Sequence, residues 1–296
     1  MGAKEQPLPF AFHFAAGGIA GVSEIAAMYP LDVVKTRFQL QVGKGGADAY
    51  TSIWDCLTKI VKNEGFGRLY RGVVPPVLVE APKRATKFAA FEKYRMLYQD
   101  LFKVEKLDQK LTVLTGVSAG ITEAFVVVPF DLVKIRMQDR ESAALYKSTS
   151  DCVAKILKSE GPLAFFNGLE ATMFRHGTWT GFYFASINYI KDLLPKPKNN
   201  TEALGINFVA GAAGGTLGTM ANTPFDVVKT RIQNHRGEGI PKYRWTIPST
   251  VTVFREEGFA ALYKGFTPKV LRLGPGGGIL LVVFDVVSNY MRKTFM

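Results

Sequence analysis

Glu80, Lys83, Arg84 and Lys87 fall at positions i, i+3, i+4 and i+7, so a helix carries all four on one face. One carboxylate among three cations on one side of a helix is a grip for a small anion. Arg175 and Arg272 add two more cations. Each stands seven residues after a glycine that closes a recurring motif, Gly168 and Gly265, where the first copy, ending at Gly72, has Val79. Guanidinium forks bind carboxylates bidentately, so cations arriving from separate helices suit a compact molecule with two anionic ends. At the next register the three copies have Glu80, His176 and Leu273, and this difference between copies is what an asymmetric ligand needs. Trp179 and Tyr183, at the registers of Lys83 and Lys87, read as packing residues. The only histidines are His13, His176 and His235, and the only cysteines are Cys56 and Cys152. They offer neither a nucleophile with its base nor a metal cluster, so no enzyme, no metal and no cofactor are expected.

A second constellation is written three times. PLDVVKTRFQ from Pro30 returns as PFDLVKIRMQ from Pro129 and as PFDVVKTRIQ from Pro224. Each copy sets an Asp two residues and a Lys five residues after its proline. On one exposed helix such a pair is worth about 0.2–0.5 kcal/mol. Three recurrences, each after a proline that removes a backbone donor and breaks or bends the helix, predict something else. Under threefold pseudosymmetry each Asp meets the Lys of another copy: Asp32 with Lys134, Asp131 with Lys229, Asp226 with Lys35. Gln39, Gln138 and Gln233, each four residues past a Lys, are placed to hydrogen-bond across those pairs. An ion pair in a wet site contributes about 1 kcal/mol, so the ring sets a barrier that a bound ligand can offset.

The elements that position these residues follow from the repeat. Glycines precede the prolines at Gly17 and Gly21, Gly116 and Gly120, and Gly211 and Gly215, three GxxxG pairs that predict one helix contact used three times. Each unit reads as a long helix, a short amphipathic helix and a second long helix, with unit boundaries expected at 8–102, 107–195 and 204–294. The chain of 296 residues is 47% hydrophobic and 21% charged with a net charge of +12, which suits a membrane protein that handles anions. Its basic residues sit at repeat-locked places and form no stripe, so nucleic acid is not an expected partner. Residues 73–97 carry seven charged side chains, among them Glu92, Lys93 and Arg95, tolerable in lipid only around a shared wet cavity. The expected fold is an all-α membrane protein with six transmembrane helices in three pseudo-threefold repeats and short amphipathic helices. Glu24 and Glu123, six residues before their prolines where the third copy has Gly218, suit either helix bracing or a proton or substrate role. The first residues show no secretory core or cleavable transit segment, and Gln6 argues against a lipid on Gly2.

These residues resemble the mitochondrial carrier family, whose signature Pro-x-Asp/Glu-x-x-Lys/Arg-x-Lys/Arg-x-Gln they carry three times. The resemblance implies an inner-membrane transporter, a monomer in contact with cardiolipin, with both termini facing the intermembrane space and the Asp–Lys ring as its matrix gate. It also implies a second gate at the ends of the even helices, met here only in part by Phe91, Glu92 and Arg95, then Ile187, Asn188 and Lys191, then Phe284, Asp285 and Ser288. Pairs of Glu92 with Lys191 and of Asp285 with Arg95 are expected there, with a neutral contact of Asn188 and Ser288, and this gate is expected to be the weaker. Arg175-His176 resembles the pattern of keto-acid and carboxylate carriers. The surrounding strings resemble the branch that exchanges the 2-oxodicarboxylates 2-oxoadipate and 2-oxoglutarate; carriage of citrate or malate, or a proton leak, are the alternatives. PGGG from Pro275 lacks a P-loop lysine and reads as helix packing.

Overall fold

The computed structural model describes residues 10–42, 49–195, 200–236 and 241–295, and among them the protein is helical with no strand. In chain order the helices are α1 (Phe10–Leu40), α2 (Ile53–Glu64), α3 (Val74–Phe102), α4 (Gln109–Gln138) and α5 (Ser142–Leu145), followed by α6 (Thr149–Ser159), α7 (Leu169–Leu193), α8 (Asn200–Asn234), α9 (Thr246–Glu257) and α10 (Phe266–Phe295). The six long helices are α1, α3, α4, α7, α8 and α10. At 31 residues α1 runs about 46 Å, longer than the ~30 Å hydrocarbon layer it would cross. Three segments are apolar and long enough to span by composition alone: Phe12–Leu40, Gln109–Gln138 and Phe259–Thr294. The other long helices fall short for visible reasons. α3 carries the cation row, α7 holds Arg175, His176 and Lys191, and α8 is rich in Gly, Ala and Thr. The residues before Phe10, with the expected boundary at residue 8 and Gly2 and Gln6, lie outside the described residues.

The second long helix of each unit packs along the first of another, α3 on α4, α7 on α8 and α10 on α1, which closes the six into a ring. Pro30, Pro129 and Pro224 lie inside helices that continue through them, so the expected break does not occur. Each proline removes one ladder bond, and the turns on either side persist because they pack on a core. Those cores are threefold copies: Tyr29, Val33 and Val34 of α1 bury against Cys56 and Ile60 of α2. Leu132 and Val133 do the same against Cys152 and Ile156 of α6, and Val228 and Ile232 against Val253 of α9. Ser52 and Ser148 cap α2 and α6 by accepting from the backbone N–H of Asp55 and Asp151, both at 3.1 Å. Burial pushes the Cys56 thiol up to about 12 and the Cys152 thiol to about 11, so these side chains act as core packing.

The second glycine of each GxxxG pair makes the expected contact three times, Gly21 facing Glu80, Gly120 facing His176 and Gly215 facing Leu273, all at one register, whereas the first glycines differ. Gly116 and Gly120 pack on α7, where added Cβ atoms would lie 3.1 Å from Thr180 and 3.3 Å from His176. Gly17 and Gly211 face open space, and the tight approach in the third unit falls on Gly218, against the backbone and ring of Trp179. Helix pairs that leave room for a cavity between them need not close at every matching residue. Another glycine also keeps the threefold rule. Gly168 opens α7 at φ +79°, and a Cβ there would meet Gln233 at 2.8 Å, so each second helix starts hard against the neighbouring unit.

Candidate functional site: a charged cavity closed by a ring of ion pairs

The cores of the three units bring the residues after each proline to one end of the bundle. There Lys134 Nζ lies 2.7 Å from Asp32 and Lys35 Nζ 2.6 Å from Asp226, and Lys229 hydrogen-bonds Asp131. All three expected partnerships are present. The Asp226 side chain is only 2% exposed, so this pair is not the wet contact assumed from sequence. Stripping one partner from a buried pair leaves a charge that costs about 3–5 kcal/mol.

The glutamines divide. Gln39 donates to Asp226 at 3.1 Å and accepts from Thr230 at 2.7 Å, so it bridges a ring pair as expected. Gln138 accepts from Thr36 at 2.6 Å, and its amide nitrogen has no partner among the described residues. Gln233 has none for either side-chain atom. The cause lies six residues after each proline, where the units have Thr36, Ile135 and Thr230. The hydroxyls of Thr36 and Thr230 serve Gln138 and Gln39; the place facing Gln233 is an isoleucine.

Sequence reasoning missed a second layer. Arg37, two residues past Lys35, forms a fork to Glu64 at 2.9 and 2.7 Å while its Nε donates to the Gln138 carbonyl at 2.6 Å. Arg136 does the same with Glu160 and, at 3.1 Å, the Gln233 carbonyl; Arg231 does so with Glu257 and, at 3.0 Å, the Gln39 carbonyl. The signal was available: an arginine follows every Lys by two, and a Glu-Gly recurs in every unit.

Beside the ring lies a cavity of about 320 Å³, within the usual range of small-molecule pockets. Seven Lys and Arg side chains and six carboxylates line it, so it is close to charge balance rather than strongly cationic. Glu80 binds Lys83 at 2.5 Å and Arg84 at 2.6 Å. Lys83 and Glu80 line the cavity; Arg84 and Lys87 do not, which corrects the reading of all four as one grip. Arg84 is drawn by Glu80 towards Gly21 of α1, and Lys87 sits 3.5 Å from Glu123 with half its side chain exposed. Arg272 is already engaged by Glu24, at 2.8 Å, and by Asp32 of the ring. Arg175 differs: its nearest carboxylate, Asp226, is 3.8 Å away, its Nε has no hydrogen-bond partner among the described residues, and its terminal nitrogen donates to His176 at 2.7 Å. Trp179 and Tyr183 stack at 4.9 Å, as packing residues do.

Lys269 was not foreseen. It donates to Asn222 at 2.6 Å and Asp226 at 3.2 Å, at a register where the other units have Pro76 and Thr172. At the far ends of the second helices, Glu92 faces Arg95 of its own helix at 3.4 Å, and among the described residues neither Glu92–Lys191 nor Asp285–Arg95 is formed. The bundle is closed at one end by its ring, and the two opposite ion pairs are absent among the described residues. Ser288 is buried, its hydroxyl has no partner among the described residues, and the Asn188 side chain lies outside them. Among the described residues no three metal-binding side chains come together.

Three alike units around a charged cavity, closed by a ring drawn from all three, define a membrane carrier. The profile of the family described as Mitochondrial carrier protein matches residues 6–102, 109–198 and 200–295, and the chain belongs to that family. It is thus a helical mitochondrial membrane protein. Among its relatives is a protein named Mitochondrial citrate transporter D from Aspergillus niger, 57% identical over 98% of this chain and 97% of that protein. A Probable mitochondrial 2-oxodicarboxylate carrier from Schizosaccharomyces pombe is 54% identical over 97% of this chain and 96% of its own. The Mitochondrial 2-oxodicarboxylate carrier of Homo sapiens is 40% identical over 95% and 94%.

Proposed function

We propose that the chain exchanges 2-oxodicarboxylates, such as 2-oxoadipate and 2-oxoglutarate, by counter-exchange across the mitochondrial inner membrane. The observation that carries this reading is Arg175, the cavity-lining cation that holds no carboxylate within hydrogen-bond distance among the described residues. Its fork takes one carboxylate of the substrate. The second carboxylate goes to Lys83 or competes with Glu24 and Asp32 for Arg272, and the latter exchange loosens the ring. Substrate then favours the state in which the ring is open, and the empty carrier crosses slowly. The names of the yeast-type and human relatives support the substrate class.

In the same reading the ring faces the matrix as its gate, and Glu92, Arg95, Asn188, Lys191, Asp285 and Ser288 meet when the opposite side closes. Units of 8–102, 107–195 and 204–294 act in one monomer, with both termini in the intermembrane space and cardiolipin beside the amphipathic helices. The protein transports and catalyses no reaction. A second reading, citrate, is favoured by the Aspergillus niger relative. Homo-exchange in liposomes loaded with 2-oxoadipate, 2-oxoglutarate, citrate, malate, phosphate or ADP decides between them. Fastest exchange is expected for the two oxodicarboxylates; citrate in first place selects the second reading, and phosphate or ADP in first place overturns both.

A further inference from the structure

Glu123 is a buried acid that exchange, as read above, leaves unused. It stands on α4, is 4% exposed and lines the cavity, and its Oε2 has no hydrogen-bond partner among the described residues. Two groups face that oxygen: His176 Nδ1 of α7 at 3.8 Å and Lys87 Nζ of α3 at 3.5 Å. Gly120, one turn earlier on α4, leaves the room for the imidazole, since a Cβ there would lie 3.3 Å from His176 Cβ. On the other side of the ring, Nε2 accepts from the Arg175 guanidinium at 2.7 Å. A guanidinium only donates, so Nε2 carries no proton and the N–H of the neutral imidazole is at Nδ1, towards Glu123. Arg175, His176, Glu123 and Lys87 therefore form a line across three helices. The other charged groups that line the same cavity are Glu24, Asp32 and Lys35 of α1, Glu80 and Lys83 of α3, Asp131 and Lys134 of α4, Asp226 and Lys229 of α8, and Lys269 and Arg272 of α10.

We infer that His176 and Glu123 form a proton-binding site loaded together with the substrate, so that each dicarboxylate crosses in company with one proton. The inference rests on Arg175 being the carboxylate anchor. When a carboxylate takes the guanidinium fork, Arg175 leaves His176 and Nε2 loses its donor. The freed lone pair accepts a proton from water, and the imidazolium so formed lies between the substrate and Glu123. The N–H bond forms as an O–H bond of hydronium breaks, and a water molecule is left. The proton returns to water when the substrate departs and Arg175 rebinds Nε2. Exchange of like dianions then moves no net proton, whereas one-way uptake runs towards the alkaline side.

Calorimetry on the purified full-length chain tests this, with 2-oxoglutarate titrated near neutral pH in buffers of different ionisation enthalpy. The binding enthalpy is expected to vary with the buffer in proportion to about one proton taken up per substrate. In Glu123→Gln and in His176→Gln, each checked for folding by its thermal transition, that dependence falls to near zero. Binding with a buffer-independent enthalpy overturns the proton site and leaves the anchor reading intact, as does a dependence unchanged in both variants. Absence of any 2-oxoglutarate binding overturns the anchor reading and the proton site together. Proteoliposomes of the unaltered chain give an answer that needs no variant. One-way uptake of 2-oxoglutarate rises several-fold when the lumen is made alkaline, and indifference to the gradient overturns the inference.

Discussion

Gln39, Gln138 and Gln233 hold the same place in three units, and what each one bonds is decided by a single residue opposite. A threonine hydroxyl reaches the first two; Ile135 leaves the third with a buried amide that has no partner among the described residues. Ile135→Thr supplies the missing hydroxyl and is expected to stabilise the ring-closed protein by about 1 kcal/mol. That gain is read as a rise of about 2–4 °C in the thermal transition in detergent, and an unchanged or lower transition counts against the pairing. Arg175 and Arg272 separate in the same way. Arg175→Ala is expected to cut 2-oxoglutarate exchange in liposomes at least about tenfold, the loss of a charged hydrogen bond, with the thermal transition little changed. Arg272→Ala loses exchange and also lowers the transition, because Glu24 and Asp32 are left without their partner. Equal transitions for the two variants would show that the Arg272 contacts do not hold the bundle.

Each amphipathic helix is tied to its long helix by a buried arginine fork, and those ties carry a pH signature. Burial pushes Glu257 up, but hydrogen bonds and charge from Arg231 and then Lys264 outweigh it and hold the carboxyl at about 2, against an ordinary 4.5. For Glu64 burial again raises, and Arg37 with Arg68 bring the net value down. A group depressed in the folded state stabilises fully above its unfolded value and loses that contribution as pH falls through the folded one. The thermal transition is therefore expected to drop between pH 4.5 and about 2, and Glu257→Gln to be less acid-sensitive over that window. A variant that keeps the full acid dependence would place the effect elsewhere. The ends of these helices were legible from Ser52 and Ser148 and their apolar stripes. The arginine forks were not, because Arg37 and Glu64 stand 27 residues apart and only the third dimension makes them neighbours.

For the molecule as a whole, the ring is threefold in sequence and uneven in charge. Asp32 has Arg272 besides Lys134, Asp226 has Lys269 besides Lys35, and Asp131 has Lys229 as its one ion-pair partner among the described residues. Removing a lysine thus has different consequences at the three junctions. Lys229→Ala is expected to cost the most, towards the ~3–5 kcal/mol of an abandoned buried charge, and Lys35→Ala and Lys134→Ala less. Thermal unfolding of the three variants side by side checks the order, and equal losses would refute it. The pairings themselves were readable in advance, because three copies of one motif leave a closed ring as the arrangement that satisfies every charge. Lys269 was not, since nothing in a one-dimensional register tells how deep a helix position sits. Arg84 and Lys87 were misplaced for a related reason: sharing a helix face does not mean sharing a cavity when a neighbouring glutamate draws one of them aside.

The arginines of the lower layer grip peptide oxygens of the adjoining unit rather than its side chains. A peptide oxygen is present whatever residue bears it. The joints between units are thereby insulated from mutational drift, and cavity residues can change to suit new cargo while the three parts of the barrel stay in alignment.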